Sequence, residues 1–347
     1  MSATLLVSHP ACERHLTGPE HPERPERLRA IRRAVEASGL EDLVEISDVE
    51  PVEREVLEDV HTRAYIARVE ALAAQGGGWF DPDTPVSRES PTAAMMAAGA
   101  ACRAARSLCA GEAARAFVVV RPPGHHALPD RAMGFCLFNN AALAAVTARR
   151  AGRQRIMIVD WDVHHGNGTQ TVFWRDPGVL FVSLHQEYWY PGTGAVDEMG
   201  EGPGEGFTVN VPLPPETGDG GYQDIFTEIV LPLAAAWRPD FVIVSAGYDA
   251  HYADPLGGMV LTSRGFGRLA GLLDEAARAQ GAPVLAVLEG GYDLEALGAS
   301  VVATLEAMTG RTAWGAPSER APSEAPPTVI GARIRAVRSA LLAHWRI

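Results

Sequence analysis

Seven short runs of apolar, largely β-branched residues recur along this chain, at residues 5–7, 117–120, 155–160, 179–184, 208–211, 241–246 and 284–288. The runs are continuous rather than alternating, so they read as strands buried on both faces, as in a parallel sheet. The stretches between them keep helical spacing. One follows Pro25, a favoured first helical position, with Leu28, Ile31 and Val35 on one face. Others are expected at 91–109, 140–151, 222–237, 264–279 and 294–308, with Phe266, Leu269, Leu273 and Ala277 holding the period. The alternation predicts an α/β fold: one open, mostly parallel sheet flanked by helices.

At 347 residues the length alone would suggest two domains. The spread of the polar motifs favours one, with residues 1–312 as the body. Residues 313–347 read as a Pro/Ser/Ala-rich tether (313–327) and an amphipathic segment (329–345) packing back on that body. Three long Gly/Pro-rich loops, 76–91, 122–135 and 186–206, are functional-loop candidates. The 30 Lys and Arg against 43 Asp and Glu give a formal net charge of -13, which argues against nucleic-acid backbones and leaves a cationic partner open. Cys12, Cys102, Cys109 and Cys136 are too few and scattered for a disulfide scaffold; Cys102 and Cys109 are expected in the core. No signal peptide or membrane-length apolar run is readable, so a cytoplasmic location without a membrane partner is expected. Composition suggests a high-GC bacterial source.

The unusual polar residues fall in four clusters, each beginning where a predicted strand ends. They are R-P-P-G-H-H at 121–126, D-W-D-V-H-H-G-N-G at 160–168, A-G-Y-D at 246–249 and E-G-G-Y-D at 289–293. Ligands of open α/β sheets bind outside the carboxyl ends of the strands, so parallel strands would bring all four to one crevice. Along an extended segment Asp160, Asp162 and His164 point the same way, about 6.6–7 Å apart at alternate positions. An Asp and a His so placed, with Asp249 from a neighbouring strand end, give three protein ligands and an open position, the pattern of a catalytic zinc. The competing reading, loop caps and salt-bridge partners, suits a lone D-x-H better than this gathering. His125 and His126, after a rigid Pro-Pro-Gly turn, suit acid–base work near neutrality. Phe135 reads equally as core or as the wall of an entrance. A lone Tyr is usually a core residue, but Tyr292 at a fourth strand end could donate to a developing oxyanion.

These motifs, with H-P-E-R-P-E-R-L at 21–28, G-F-C-L-F-N-N at 134–140, S-A-G-Y-D at 245–249 and D-P-L-G-G at 254–258, resemble the zinc-dependent histone deacetylase family. The likeness is closest to its class II branch, which includes bacterial deacetylase-like amidohydrolases and acetylpolyamine amidohydrolases, and it covers roughly residues 5–310. It implies the arginase–deacetylase fold. It implies zinc on Asp162, His164 and Asp249, His126 as general base and acid, and His125 as a second, electrostatic histidine. Asp160 matches the residue that hydrogen-bonds His125, and Asn167 the partner of the other histidine. Structural K+ is implied at Asp160, Asp162, His164, Ser183 and Leu184, and a second K+ at Phe173, Asp176, Val179 and Phe207. Gly134, Phe135 and Tyr190 match the aromatic passage that grips an acyl-lysine stem, although Tyr190 stands where Phe is more usual.

The implied activity is hydrolysis of an acetyl-amine to acetate and free amine. The cation would acidify a water and polarise the amide carbonyl, His126 take the water proton, and Tyr292 help hold the oxyanion. Leu256 stands where polyamine-specialised members carry a glutamate gatekeeper, which favours acetyl-lysine in peptides or proteins over a small acetylated amine. Glu13, Glu20 and Glu89 on predicted loops keep the polyamine reading open. Two other classes compete: a non-catalytic metal-binding or interaction protein, against which His125, His126 and Tyr292 stand, and an arginase-like ureohydrolase. The latter wants a further carboxylate beside D-x-H, and His165-Gly166 offers none. An Asp2His site would also accept Fe2+ or Co2+. A homo-oligomer is compatible with the sequence.

Overall fold

The protein is described by a computed structural model that covers residues 3–40, 42–311, 319 and 322–346. Most of the tether expected at 313–327 lies outside the described residues. Eight strands form one sheet in the order β2-β1-β5-β10-β9-β6-β7-β8, every neighbouring pair parallel. They are β1 (Thr4–Ser8), β2 (Leu43–Ile46), β5 (Arg115–Val119), β6 (Ile156–Asp160), β7 (Val179–Gln186), β8 (Thr208–Leu213), β9 (Phe241–Ala246) and β10 (Val284–Leu288). β3 (Gly78–Trp79) and β4 (Pro85–Val86) form a small antiparallel hairpin inside the loop expected at 76–91.

Seven of the eight sheet strands fall on the seven apolar runs. β2 does not announce itself because it is an edge strand, four residues long, with Val44 and Glu45 exposed. β5 starts at Arg115, earlier than its apolar run, because that guanidinium is buried in a two-pronged pair with Asp274 at 2.5 and 3.0 Å.

The helices are α1 (Glu26–Ser38), α2 (Arg54–Glu58), α3 (Arg63–Ala74), α4 (Ser90–Cys109), α5 (Asn140–Arg150), α6 (Asn167–Phe173), α7 (Asp219–Ile225), α8 (Leu231–Trp237), α9 (Ser263–Ala279), α10 (Leu294–Met308) and α11 (Pro327–Leu341). A π-helical turn, Phe226–Val230, joins α7 to α8. α1, α10 and α9 pack in one row and α4 and α5 against each other, so the central strands are buried on both faces. Among the described residues no helix is long and apolar enough to cross a membrane, and all four cysteines are free.

The topology makes the crevice. After β5 the chain crosses to β6, three places away, and builds outward through β7 and β8. It returns only later, laying β9 and β10 into the gap. The four polar clusters therefore leave the carboxyl ends of four adjacent central strands: β5, β10, β9 and β6.

Candidate active site

β6 ends at Asp160, and the segment beyond it is not extended, contrary to the alternation expected from the sequence. Asp160 Oδ1 accepts from the Asp162 N–H at 3.1 Å, and Asp162 Oδ1 from the His164 N–H at 2.9 Å. Short polar side chains thus capture the backbone that a strand would have paired, and the chain curls. The result still gathers the ligands: donor atoms of Asp162, His164 and Asp249 all lie within 4.8 Å of one another. Asp249, beyond β9, is fixed by accepting from the Val163 N–H at 2.8 Å.

Glycines make room for this crowd. A Cβ on Gly290 would come 2.0 Å from Asp249 Oδ2 and 2.6 Å from Asp162 Oδ2, and one on Gly247 would come 2.1 Å from Asp162 Oδ2. Those separations are far inside van der Waals contact, which explains the bare backbone in both motifs. Burial, then Asp162 alongside, pushes the Asp249 carboxyl up to about 7. Burial works against a charged His164, yet Asp162 and Asp249 together lift it to about 10. Two carboxylates and an imidazole, with no thiolate, fit a divalent metal.

The two adjacent histidines differ in partner. His125 Nδ1 donates to Asp160 Oδ2 at 2.9 Å, while His126 Nδ1 donates to the neutral Asn167 Oδ1 at 2.8 Å. For His125 burial opposes the charge, but Asp162 and Asp160 hold the imidazolium well above its ordinary range. Burial, with the positive His125 and His164 nearby, drives His126 well below. A neutral imidazole thus sits beside an imidazolium, a difference made by environment. The turn that carries them is fastened to the fourth cluster: Glu289 Oε2 accepts from Gly124 N at 2.6 Å and His125 N at 3.0 Å.

A cavity of about 260 Å³ opens onto these groups, lined among others by His126, Gly134, Phe135, His164, Tyr190, Leu256 and Tyr292. Phe135 stands edge-on to Tyr292 at 5.7 Å, and Tyr190 edge-on to His126 at 5.1 Å. Gly134 has φ +55°, and a Cβ there would lie 2.4 Å from His126 Cδ2, so only glycine lets the wall approach that imidazole. Burial, then Asp249, keeps the Tyr292 phenol well above its usual range, hence protonated and able to donate.

The residues expected at the K+ sites fall in two groups. Ser183 pairs in register with Asp160 across β6 and β7, and its Oγ lies 2.9 Å from His185 Nδ1. Phe173, Asp176, Val179 and Phe207 surround the start of β7. There Phe173 O accepts from Asp176 N at 3.0 Å, and Phe207 O from Phe181 N at 2.9 Å. The Asp176 carboxylate pairs with Arg149.

Two features escaped the sequence reading. Asp83 lines the mouth of the cavity, its carboxyl raised to about 6 by burial and by Asp81. Behind the site, Arg121 and Arg27 close on the fully buried Glu23, with Arg121 Nη2 at 2.7 Å and Arg27 Nη1 at 3.1 Å. Arg27 also donates to Gly291 O at 2.6 Å and Glu289 O at 2.5 Å, and lies 5.0 Å over the Tyr292 ring. The signal was present in the charged 21–28 motif, but its partners were not.

A model of the histone deacetylase domain matches residues 21–308. The chain belongs to the histone deacetylase family. Among its relatives are histone deacetylase 15 of Arabidopsis thaliana, 42% identical over 81% of this chain and 50% of that protein. A probable deacetylase of Archaeoglobus fulgidus is 41% identical over 88% of this chain and 86% of that one. A histone deacetylase-like amidohydrolase of Pseudomonas aeruginosa is 40% identical over 88% and 79%. The chain thus spans half the length of the plant relative and most of the two microbial ones. The solved HDA15 HD domain superposes with a TM-score of 0.91 at 38% identity, covering 99% of this chain and 96% of that one. The parallel sheet with flanking helices is the arginase–deacetylase fold, and the family's activity is that of deacetylases and amidohydrolases.

Proposed function

We propose that this protein is a zinc-dependent deacetylase that releases acetate from acetyl-lysine in peptides or proteins. The observation that carries the reading is the placing of the Asp162, His164 and Asp249 cluster beside one neutral and one charged histidine, at the base of an aromatic-walled cavity. Zinc held by those three residues would supply the positive charge that acidifies a water and polarises the amide carbonyl. His126, neutral and tied through Nδ1 to Asn167, leaves Nε2 to take a proton. His125, charged and held by Asp160, balances the developing anion, and either histidine can return a proton to the leaving amine. Tyr292 donates its hydroxyl hydrogen to the oxyanion. Phe135 and Tyr190, with Gly134 between wall and base, grip the methylene stem. Structural K+ is assigned to Asp160, Asp162, His164, Ser183 and Leu184, and to Phe173, Asp176, Val179 and Phe207.

One observation favours a second reading, an acetylpolyamine or another small acyl-amide as substrate. Asp83, with Asp81 beside it, lines the cavity where an anion would meet a distal ammonium. Leu256 is apolar and offers no such partner, which favours acetyl-lysine. A panel of acetyl-lysine peptides, acetylputrescine and acetylspermidine, compared by kcat/KM with and without added Zn2+, separates the two. The peptides should lead, and a clear lead for either polyamine overturns the acetyl-lysine assignment.

A further inference from the structure

The chain beyond the matched residues 21–308 makes contacts that the site chemistry does not use. α11 seats Ile330, Ile334, Val337 and Leu341 in buried positions and packs against β8 and α7. From that seat the C-terminal segment reaches both ends of the loop between β7 and β8, which carries Tyr190 close to its start. At the start Arg333 pairs with Glu187, the first residue after β7. At the finish the Trp345 indole N–H donates to Gly206 O at 2.7 Å, and its ring meets Phe207 at 5.5 Å. Gly206 has φ +86°, and a Cβ there would fall 2.5 Å from His344, so the two segments lie flush.

The loop has an internal clasp as well. Glu198 accepts from Gly194 N at 3.1 Å, Ala195 N at 3.2 Å and Gln170 Nε2 at 2.6 Å, and thereby ties the loop to α6. Tyr190 lies between the Glu187 end and this clasp, and the contact at Gly206 holds the far side of the clasp, so the wall has little freedom to move as long as both ends are held. A helix serving only to cover β8 would need its four buried aliphatic side chains. It would not need polar contacts at both ends of one loop.

We propose that residues 327–346 brace the Tyr190 wall, with Arg333 and Trp345 as positioning residues that set how tightly the substrate stem is gripped. The proposal rests on reading the cavity as an acyl-amine passage. Its test is the full-length Arg333→Ala/Trp345→Phe double variant, which leaves the aliphatic seat of α11 intact. Amide hydrogen exchange in residues 187–206 should quicken while β6 and β9 stay protected. KM for an acetyl-lysine peptide should rise about tenfold with kcat nearly unchanged, the mark of a lost uniform grip. Arg333→Lys should recover part of that rise.

Unchanged exchange in the loop overturns the brace. Quickened exchange with unaltered KM overturns its role in substrate grip, and so does a fall confined to kcat. Should the wild-type protein turn over no acyl-amine at all, the passage reading fails, while the exchange result still decides whether the loop is braced. If the double variant does not fold, Trp345→Phe alone keeps a smaller aromatic ring beside Phe207 and removes the N–H donor to Gly206, and loop exchange in that variant decides the matter in the same way.

Discussion

Two carboxylates and an imidazole share one small space only because the backbone beside them carries no side chains, as the clashes at Gly247 and Gly290 make plain. Tyr292 is placed by the same segment. Its backbone N–H donates to Asp254 Oδ2 at 2.5 Å, Arg27 covers its ring, and its hydroxyl stays protonated. Removing that hydroxyl should therefore disturb charge stabilisation and little else. Tyr292→Phe should keep its metal by elemental analysis and lose about 10²–10³ in kcat, the usual effect of deleting one oxyanion donor. Wild-type turnover in the variant would sink the role given to Tyr292. Much of this site was legible in the sequence, because Asp162, His164, Asp249, His125 and His126 stand in short motifs after apolar runs. Asp83 was not, since an acid in a Gly/Pro-rich loop looks like any solvated one until the loop folds over the cavity.

At the scale of elements, the charged motif preceding and opening α1 supports β5 and β10 from behind. Glu23 meets Arg121 98 residues on, and Arg27 meets Glu289 262 residues on. No local pattern could announce partners so distant. Burial opposes the charge on Glu23, but Arg121 and Arg27 hold its carboxyl down to about 2. Glu23→Gln leaves two buried guanidiniums short of their counter-charge, and breaking such a cluster costs about 3–5 kcal/mol. We expect the urea midpoint to fall with little change in slope; an unmoved midpoint would mean that the network adds no net stability. The elements themselves were legible where burial wrote a pattern. β2 was not, being half exposed, nor were α2 and α6, which are short. α3 could have been found: Tyr65, Ile66, Val69 and Ala73 mark its buried face, and Thr62 caps it through the Tyr65 N–H at 3.3 Å.

At the scale of the whole molecule, the groups that form the site come from residues 121 to 292, so the sheet stands or falls as one unit. Its acid limit should be set in part by histidines buried without charge. Burial holds His61 down at about 4, and His15 likewise, the latter with Arg121 lowering it and Glu23 acting in the opposite sense. His61 is neutral for a visible reason. Its Nε2 accepts from Asn139 N at 2.9 Å and its Nδ1 donates to Leu128 O at 3.0 Å, so it joins the start of α3 to the cap of α5. The unfolded chain takes up these protons near pH 6.5, whereas the folded protein refuses them until about pH 4. The contribution of these two histidines to stability is therefore complete above pH 6.5 and is lost as pH falls toward 4, by up to about 3 kcal/mol for each. His61→Gln can accept from Asn139 and donate to Leu128 without titrating. Its unfolding free energy should fall less steeply than the wild type's between pH 6.5 and 4, measured by urea titration at each pH. Both proteins carry the same Asp162, His164 and Asp249 cluster, so proton competition for a metal bound there cancels from the comparison, and equal slopes would show that His61 already holds its proton in the folded state.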